Sequence, residues 1–187
     1  MKLLFVIDMQ NDFIDGILGT LEAQVIVPKV VEKINSIKDD DFIFLTKDTH
    51  YYNYLETEEG KHLSIPHCII DTDGWKLNSK VVVAVLRKRK NLKGLINKLT
   101  FGYIWNNEYF VENFQNFNPN DITEIEIVGL DTDFCVLANA MTLKAAFPNV
   151  PITIDASCCA GSTPEWHEKA LDMLEHCHFN VINRNVP

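Results

Sequence analysis

Short apolar runs separated by stretches of helical spacing constrain this chain most. Leu3–Ile7, Phe42–Thr46, Ile125–Gly129, Pro151–Asp155 and Phe179–Ile182 each read as a strand, and Leu95–Lys98 as a shorter one. Val25–Ile37 has helical apolar spacing, with Pro28 in the first turn, where a missing N–H costs little. Asp133–Phe147 and Pro164–His176 also read as helices, as does Ile104–Phe117 ahead of Pro119. Val81–Leu86 is β-branched but flanked by Lys and Arg, and its propensities leave strand and helix open. Alternating strands and helices predict an α/β fold, with a central, mostly parallel sheet of roughly six strands between helices. With 187 residues and neither repeat nor linker, one domain spanning 1–187 is expected.

Charge and cysteine usage narrow the function classes. The formal net charge is −9, which argues against a nucleic-acid or anionic-membrane partner, since either needs a basic face. No apolar run approaches the ~20 residues of a membrane span. The apolar start, Met1 to Ile7, lacks the length and cleavage site of a signal peptide, so a cytoplasmic location is expected. Five cysteines without regular spacing suit free thiols in a reducing compartment. Cys158-Cys159 reads as part of a small-residue loop (ASCCAGST), with no vicinal disulfide expected.

The strands share one feature: each of several ends, on its C-terminal side, in a residue able to do chemistry. The first runs into Asp8, the second into Asp48 and His50, the Leu95 run into Lys98, and the Ile125 run into Asp131, Asp133 and Cys135. In an open parallel sheet, ligands bind beyond the carboxyl ends of the strands. A carboxylate, an amine and a thiol gathered there are the parts of an activated nucleophile. Cys135 falls in the first turn of a helix, where the dipole and free N–H groups favour a thiolate and an oxyanion. Polar loops after strands are common, so the set carries this reading rather than any one residue. Asp48-x-His50 puts two donors on one side of an extended stretch. With His67 and Glu56, Glu58, Glu59 or His62 on the long loop Lys47–Cys68, the donors suit Zn²⁺, Fe²⁺ or Mn²⁺.

These pieces resemble the isochorismatase-like cysteine hydrolases, and among them the amidases of nicotinamidase and pyrazinamidase type. Phe5-Val6-Ile7-Asp8-Met9-Gln10-Asn11-Asp12-Phe13 is similar to the family's first strand and acid. Lys98-Leu99-Thr100-Phe101-Gly102 is similar to its lysine motif, and Gly129-Leu130-Asp131-Thr132-Asp133-Phe134-Cys135-Val136 to its nucleophile motif. Asp48-Thr49-His50 and Pro66-His67-Cys68 are similar to the metal site. The resemblance covers nearly the whole chain. It implies a three-layer, Rossmann-like sandwich, and it favours a helix at Val81–Leu86.

The resemblance also implies roles. Asp8, Lys98 and Cys135 form the catalytic triad, and the N–H groups of Asp131 and Cys135 form the oxyanion hole after a cis peptide at Leu130–Asp131. Asp48, His50 and His67 hold one divalent metal, most expectably zinc, with iron or manganese as alternatives. The fourth ligand is Glu59 in preference to Glu56 or His62. The expected reaction is hydrolysis of nicotinamide or a similar heteroaromatic amide, releasing ammonia through a thioester. The alternative is a carbamoyl or ureido substrate without metal. Two positions depart from the pattern: Ser64 stands where a ring-wall tryptophan is common, and Asp131 where a small or apolar residue is common. Phe13, Trp105 and Phe134 are then the candidate walls for a flat ring. Homo-oligomers are common in the family, and one is expected here.

Overall fold

The computed structural model describes residues 1–106, 110 and 118–184. Its strands are β1 (Lys2–Ile7), β2 (Phe42–Asp48), β3 (Leu92–Lys98), β4 (Glu124–Leu130), β5 (Ile152–Ala160) and β6 (Asn180–Ile182). They form a six-stranded sheet in the order β3-β2-β1-β4-β5-β6, with every pair parallel. Helices α1 (Asn11–Ile14), α2 (Leu21–Ser36), α3 (Glu58–His62), α4 (Ser79–Arg87), α5 (Leu137–Ala146) and α6 (Pro164–His176) complete the described architecture.

Central strands in such a sheet are buried on both faces, so their sequences are continuously apolar. In β1, Leu3, Phe5 and Ile7 pack into one core with Leu143 of α5 and Leu171 of α6. Leu4 and Val6 point the other way, against Val27 and Val30 of α2 and Val81 and Val85 of α4. One strand thus feeds two cores, and these hold the three layers together.

Several local expectations shift. Thr20 caps α2, its hydroxyl accepting from Ala23 N at 3.0 Å, so the helix starts at Leu21 rather than Val25. Pro28 is therefore interior, not in the first turn. The Val81–Leu86 run is helical: Val81, Ala84 and Val85 fall on one buried face at helical spacing, and Asn78 caps the first turn through Lys80 N at 3.0 Å. The nucleophile segment opens as a π-helical turn, Thr132–Val136, before α5 begins. Cys158 and Cys159 belong to β5 and not to a loop. The pairing with β4 slips between Ile127 and Gly129, and the small residues lie where the strand bulges. The five cysteines are all free. Of the helix expected over Ile104–Phe117, positions 104–106 are not helical and most of the rest lies outside the described residues.

Candidate active site

Four neighbouring strands, β3, β2, β1 and β4, deliver their C-terminal ends to one place. Lys98 ends β3, Asp48 ends β2, Asp8 follows β1, and Cys135 lies in the turn after β4. All four side chains are nearly fully buried.

Lys98 is the hub. Its Nζ lies 2.6 Å from Asp8 Oδ2, 3.1 Å from Asp48 Oδ1 and 3.4 Å from Cys135 Sγ. Thr46 donates to Asp8 Oδ1 at 2.7 Å and accepts from Asp8 N at 3.2 Å. Asp8 Oδ2 is held by the Lys98 ammonium, its buried ion-pair partner. Asp8 adopts φ 44°, a left-handed conformation that costs about 1–3 kcal/mol in a non-glycine residue. Thr46 and Lys98 hold it in that pose. Gly129, at φ 122°, lets β4 approach Ile7 so closely that a Cβ would collide with its backbone. The Leu130–Asp131 peptide is cis.

Burial sets the proton affinities. It pushes the Cys135 thiol well up, although Lys98 pulls it down. It likewise raises the Asp8 carboxyl against the pull of Lys98, which makes Asp8 a stronger base than an exposed aspartate. Burial opposes the charge on Lys98, but Asp8, the Cys135 sulfur and Asp48 outweigh it and raise the ammonium. The centre thus sets a thiol and a carboxyl group, both with proton affinities raised by burial, around one fixed cation.

The second half of the site shares Asp48. Its Oδ2 lies 2.8 Å from His50 Nε2 and 3.3 Å from His67 Nε2. Glu59 Oε1 is 3.4 and 3.7 Å from the same two nitrogens. One donor atom from each of Asp48, His50, Glu59 and His67 fits within 4.8 Å of the others. His67 Nδ1 lies 2.9 Å from Ile65 O, the bond that fixes a ligand imidazole with Nε2 free for a metal. Burial opposes a proton on His50, yet hydrogen bonds to Asp48 and Glu59 raise it to about 9, so the pocket attracts a cation. Two carboxylates and two imidazoles match a divalent first-row metal. Glu59 lies in the first turn of α3, which Thr57 caps by accepting from Gly60 N at 3.1 Å. His62 is exposed and faces Glu58 instead.

Other expected residues divide. The Phe13 ring is buried with its centre 5.5 Å from that of His67. Phe134 is 43% exposed beside the nucleophile. Trp105, by contrast, is only 3% exposed and packs against Phe5, Tyr103 and Phe110. That packing takes it into the core and away from an open ring wall. Two clefts of about 360 and 370 Å³ lie along α2 and β5 and contain none of the cluster residues. Converging polar groups, not cleft volume, mark this site.

Three contributors were missed in the sequence. Gln10, fully buried, accepts from Asp48 N at 2.6 Å and donates to Asp48 O and Trp75 O, each at 2.9 Å, which clamps the shared carboxylate's backbone. Its signal was its place two residues after Asp8. Thr46 stands two residues before Asp48, on the same strand face. Asn139 lies four residues after Cys135, one helical turn on.

Comparison with known proteins agrees with this geometry. The isochorismatase domain model matches residues 2–185. The chain is similar to a nicotinamidase of Saccharomyces cerevisiae, at 27% identity over 98% of this chain and all of that protein. It superposes on a nicotinamidase/pyrazinamidase of Bacillus subtilis with TM-score 0.78, 24% identity, and coverage of 96% and 98% of the two chains. A pyrazinamidase of Pyrococcus horikoshii in complex with zinc gives TM-score 0.67 at 23% identity, covering 97% and 98%. A motif set, a sheet order and a side-chain cluster thus meet in one chain, and that chain belongs to the isochorismatase domain family.

Proposed function

We propose that this protein is a metal-assisted cysteine amidohydrolase acting on nicotinamide or a closely similar heteroaromatic amide. The observation that carries the reading is the single ammonium of Lys98 holding Asp8, Asp48 and the Cys135 sulfur within 2.6 to 3.4 Å. It joins a nucleophile to a four-donor metal cluster through one carboxylate.

The chain's residues account for each proton. Asp8 takes the thiol proton of Cys135, and Lys98 stabilises the sulfur anion as it forms. The sulfur attacks the amide carbon. The N–H groups of Asp131, just before the π turn, and of Cys135, within it, receive the oxyanion. Asp8 then delivers its proton to the nitrogen as the C–N bond breaks, releasing ammonia and leaving a thioester on Cys135. Asp8 next removes a proton from water, which attacks the thioester. The carboxylic acid leaves and the proton returns to sulfur. Phe13 and Phe134 border the ring. A divalent ion held by Asp48, His50, Glu59 and His67, with zinc the best match, would supply a Lewis-acid docking point for a ring nitrogen. The chain acts as one cytoplasmic domain on a small molecule, and we infer a homo-oligomer from its family. Among the described residues, no helix is long and apolar enough to cross a membrane.

The test is ammonia release from a panel of nicotinamide, pyrazinamide and N-carbamoyl amino acids, in metal-loaded and chelated enzyme. Metal-dependent release from the ring amides, abolished in Cys135→Ala, is the expected result. Release from carbamoyl substrates alone, insensitive to chelator, would replace this reading with the ureido one.

A further inference from the structure

Asn139 is fully buried and uses its whole hydrogen-bonding capacity. Its Nδ2 donates to Cys135 O at 2.8 Å and to Phe101 O at 3.1 Å. Its Oδ1 accepts from Tyr103 N at 3.2 Å and from Trp105 Nε1 at 2.9 Å. One side chain therefore joins the nucleophile's own carbonyl to both ends of the segment that follows Lys98.

That segment lies close against α5. A Cβ at Gly102 would stand 3.2 Å from the Ala138 Cβ, tighter than ordinary contact. The Phe101 ring meets the Phe134 ring, with centroids 5.2 Å apart and planes inclined by 48°. Both rings stay substantially exposed, at 38% and 43%, although one follows buried Lys98 by three residues and the other directly precedes buried Cys135. Two half-exposed aromatic rings close in sequence to the nucleophile and its lysine offer an apolar, polarisable surface. Ser64 provides no ring on the metal side, and Trp105 is committed to the core.

We propose that Asn139 is a positioning residue: it sets the Phe101–Trp105 segment against the nucleophile turn so that Phe101 and Phe134 form a ledge for the flat face of the substrate ring. Phe101 becomes a specificity-determining residue on this account. The proposal rests on the ring-amide reading above. It also separates two functions of the turn: the triad activates sulfur, and the ledge selects what reaches it.

The metal-loaded enzyme tests this with two readouts. KM for nicotinamide reports the ledge, while the rate of Cys135 alkylation by iodoacetamide, which has no ring, reports the sulfur. Asn139→Ala and Phe101→Ala should each raise KM roughly tenfold, the scale of a lost ring contact, with alkylation within about twofold of wild type. The double variant should fall short of the product of the single effects, because both act on one surface. A purely structural role for Asn139 would lower thermal stability and the active fraction without moving KM. KM within about twofold in folded variants overturns the proposal, as does a parallel change in KM and alkylation. If Asn139→Ala does not fold, surface-exposed Phe101→Ala and loop-displacing Gly102→Ala decide by the same criteria. Wild-type enzyme inactive on every ring amide would refute the amidase reading and the ledge with it; an active enzyme with an insensitive KM would refute the ledge alone.

Discussion

Replacing Asp8 with asparagine preserves the shape of the side chain and removes its ability to take a proton. The structure fixes what else changes. Lys98 loses its partner at 2.6 Å but keeps Asp48 at 3.1 Å, so the ammonium is not stranded. Breaking a buried pair outright costs about 3–5 kcal/mol; with Asp48 remaining, about 2 kcal/mol is expected. For a chain of this length that lowers the melting temperature by roughly 4–8 °C, and the variant should still fold. Catalysis suffers more. A positioned general base contributes about 10²–10⁴-fold, and Asp8 serves both the thiol and the leaving amine. A loss near 10³-fold in kcat/KM, or about 4 kcal/mol of transition-state stabilisation, is the central expectation. Burial raises the Cys135 thiol, and Asp8 is the group placed to take its proton, so asparagine there removes the acceptor. Iodoacetamide should therefore alkylate Cys135 in Asp8→Asn more slowly than in wild type near neutral pH, as ammonia release collapses. Turnover within tenfold of wild type would refute the proton-shuttle role. Alkylation as fast as in wild type would show that the thiol needs no proton acceptor at Asp8.

Other outcomes follow from other parts of the molecule. His67→Ala and Glu59→Gln should each lower bound metal, measured by elemental analysis after dialysis, and slow turnover of ring amides; full metal content in both would place the cation elsewhere. Gly129→Ala puts a side chain at φ 122° against the Ile7 backbone and should cost at least about 2 kcal/mol, read as a lower urea midpoint. Lys33 ties Glu126 and Asp155 together at 2.7 Å each beneath α2, so Lys33→Met should destabilise by about 3 kcal/mol at neutral pH. Although burial opposes it, bonding from Lys33, Ser157 and Asn183 holds Asp155 below its ordinary value of 3.8. Its contribution is thus complete above about pH 4 and is lost as pH falls through the lower folded value. The gap between wild type and Lys33→Met should narrow in unfolding curves taken at pH 3, and a gap unchanged from pH 7 would exclude this linkage.

What the sequence determined was the alternation of strands with helices and the chemistry at the strand ends. A strand buried on both faces must be apolar along its length, and its polar terminus stands out, as at Asp8, Asp48, Lys98 and Cys135. Helix α6, with Thr163 before it and Pro164 at its start, was legible from local signals alone. Val81–Leu86 was not, because β-branched propensity opposed the packing of Val81, Ala84 and Val85 on α2, and packing won. Tertiary structure alone decided that the Cys158-Cys159 stretch extends β5 against β4 and that Trp105 packs into the core. It also decided the part played by Asn139, whose partners at Phe101 and Trp105 lie more than thirty residues away in sequence. Local patterns record which face of an element is buried. They cannot record which distant groups share that space, since this depends on how neighbouring strands and their loops converge.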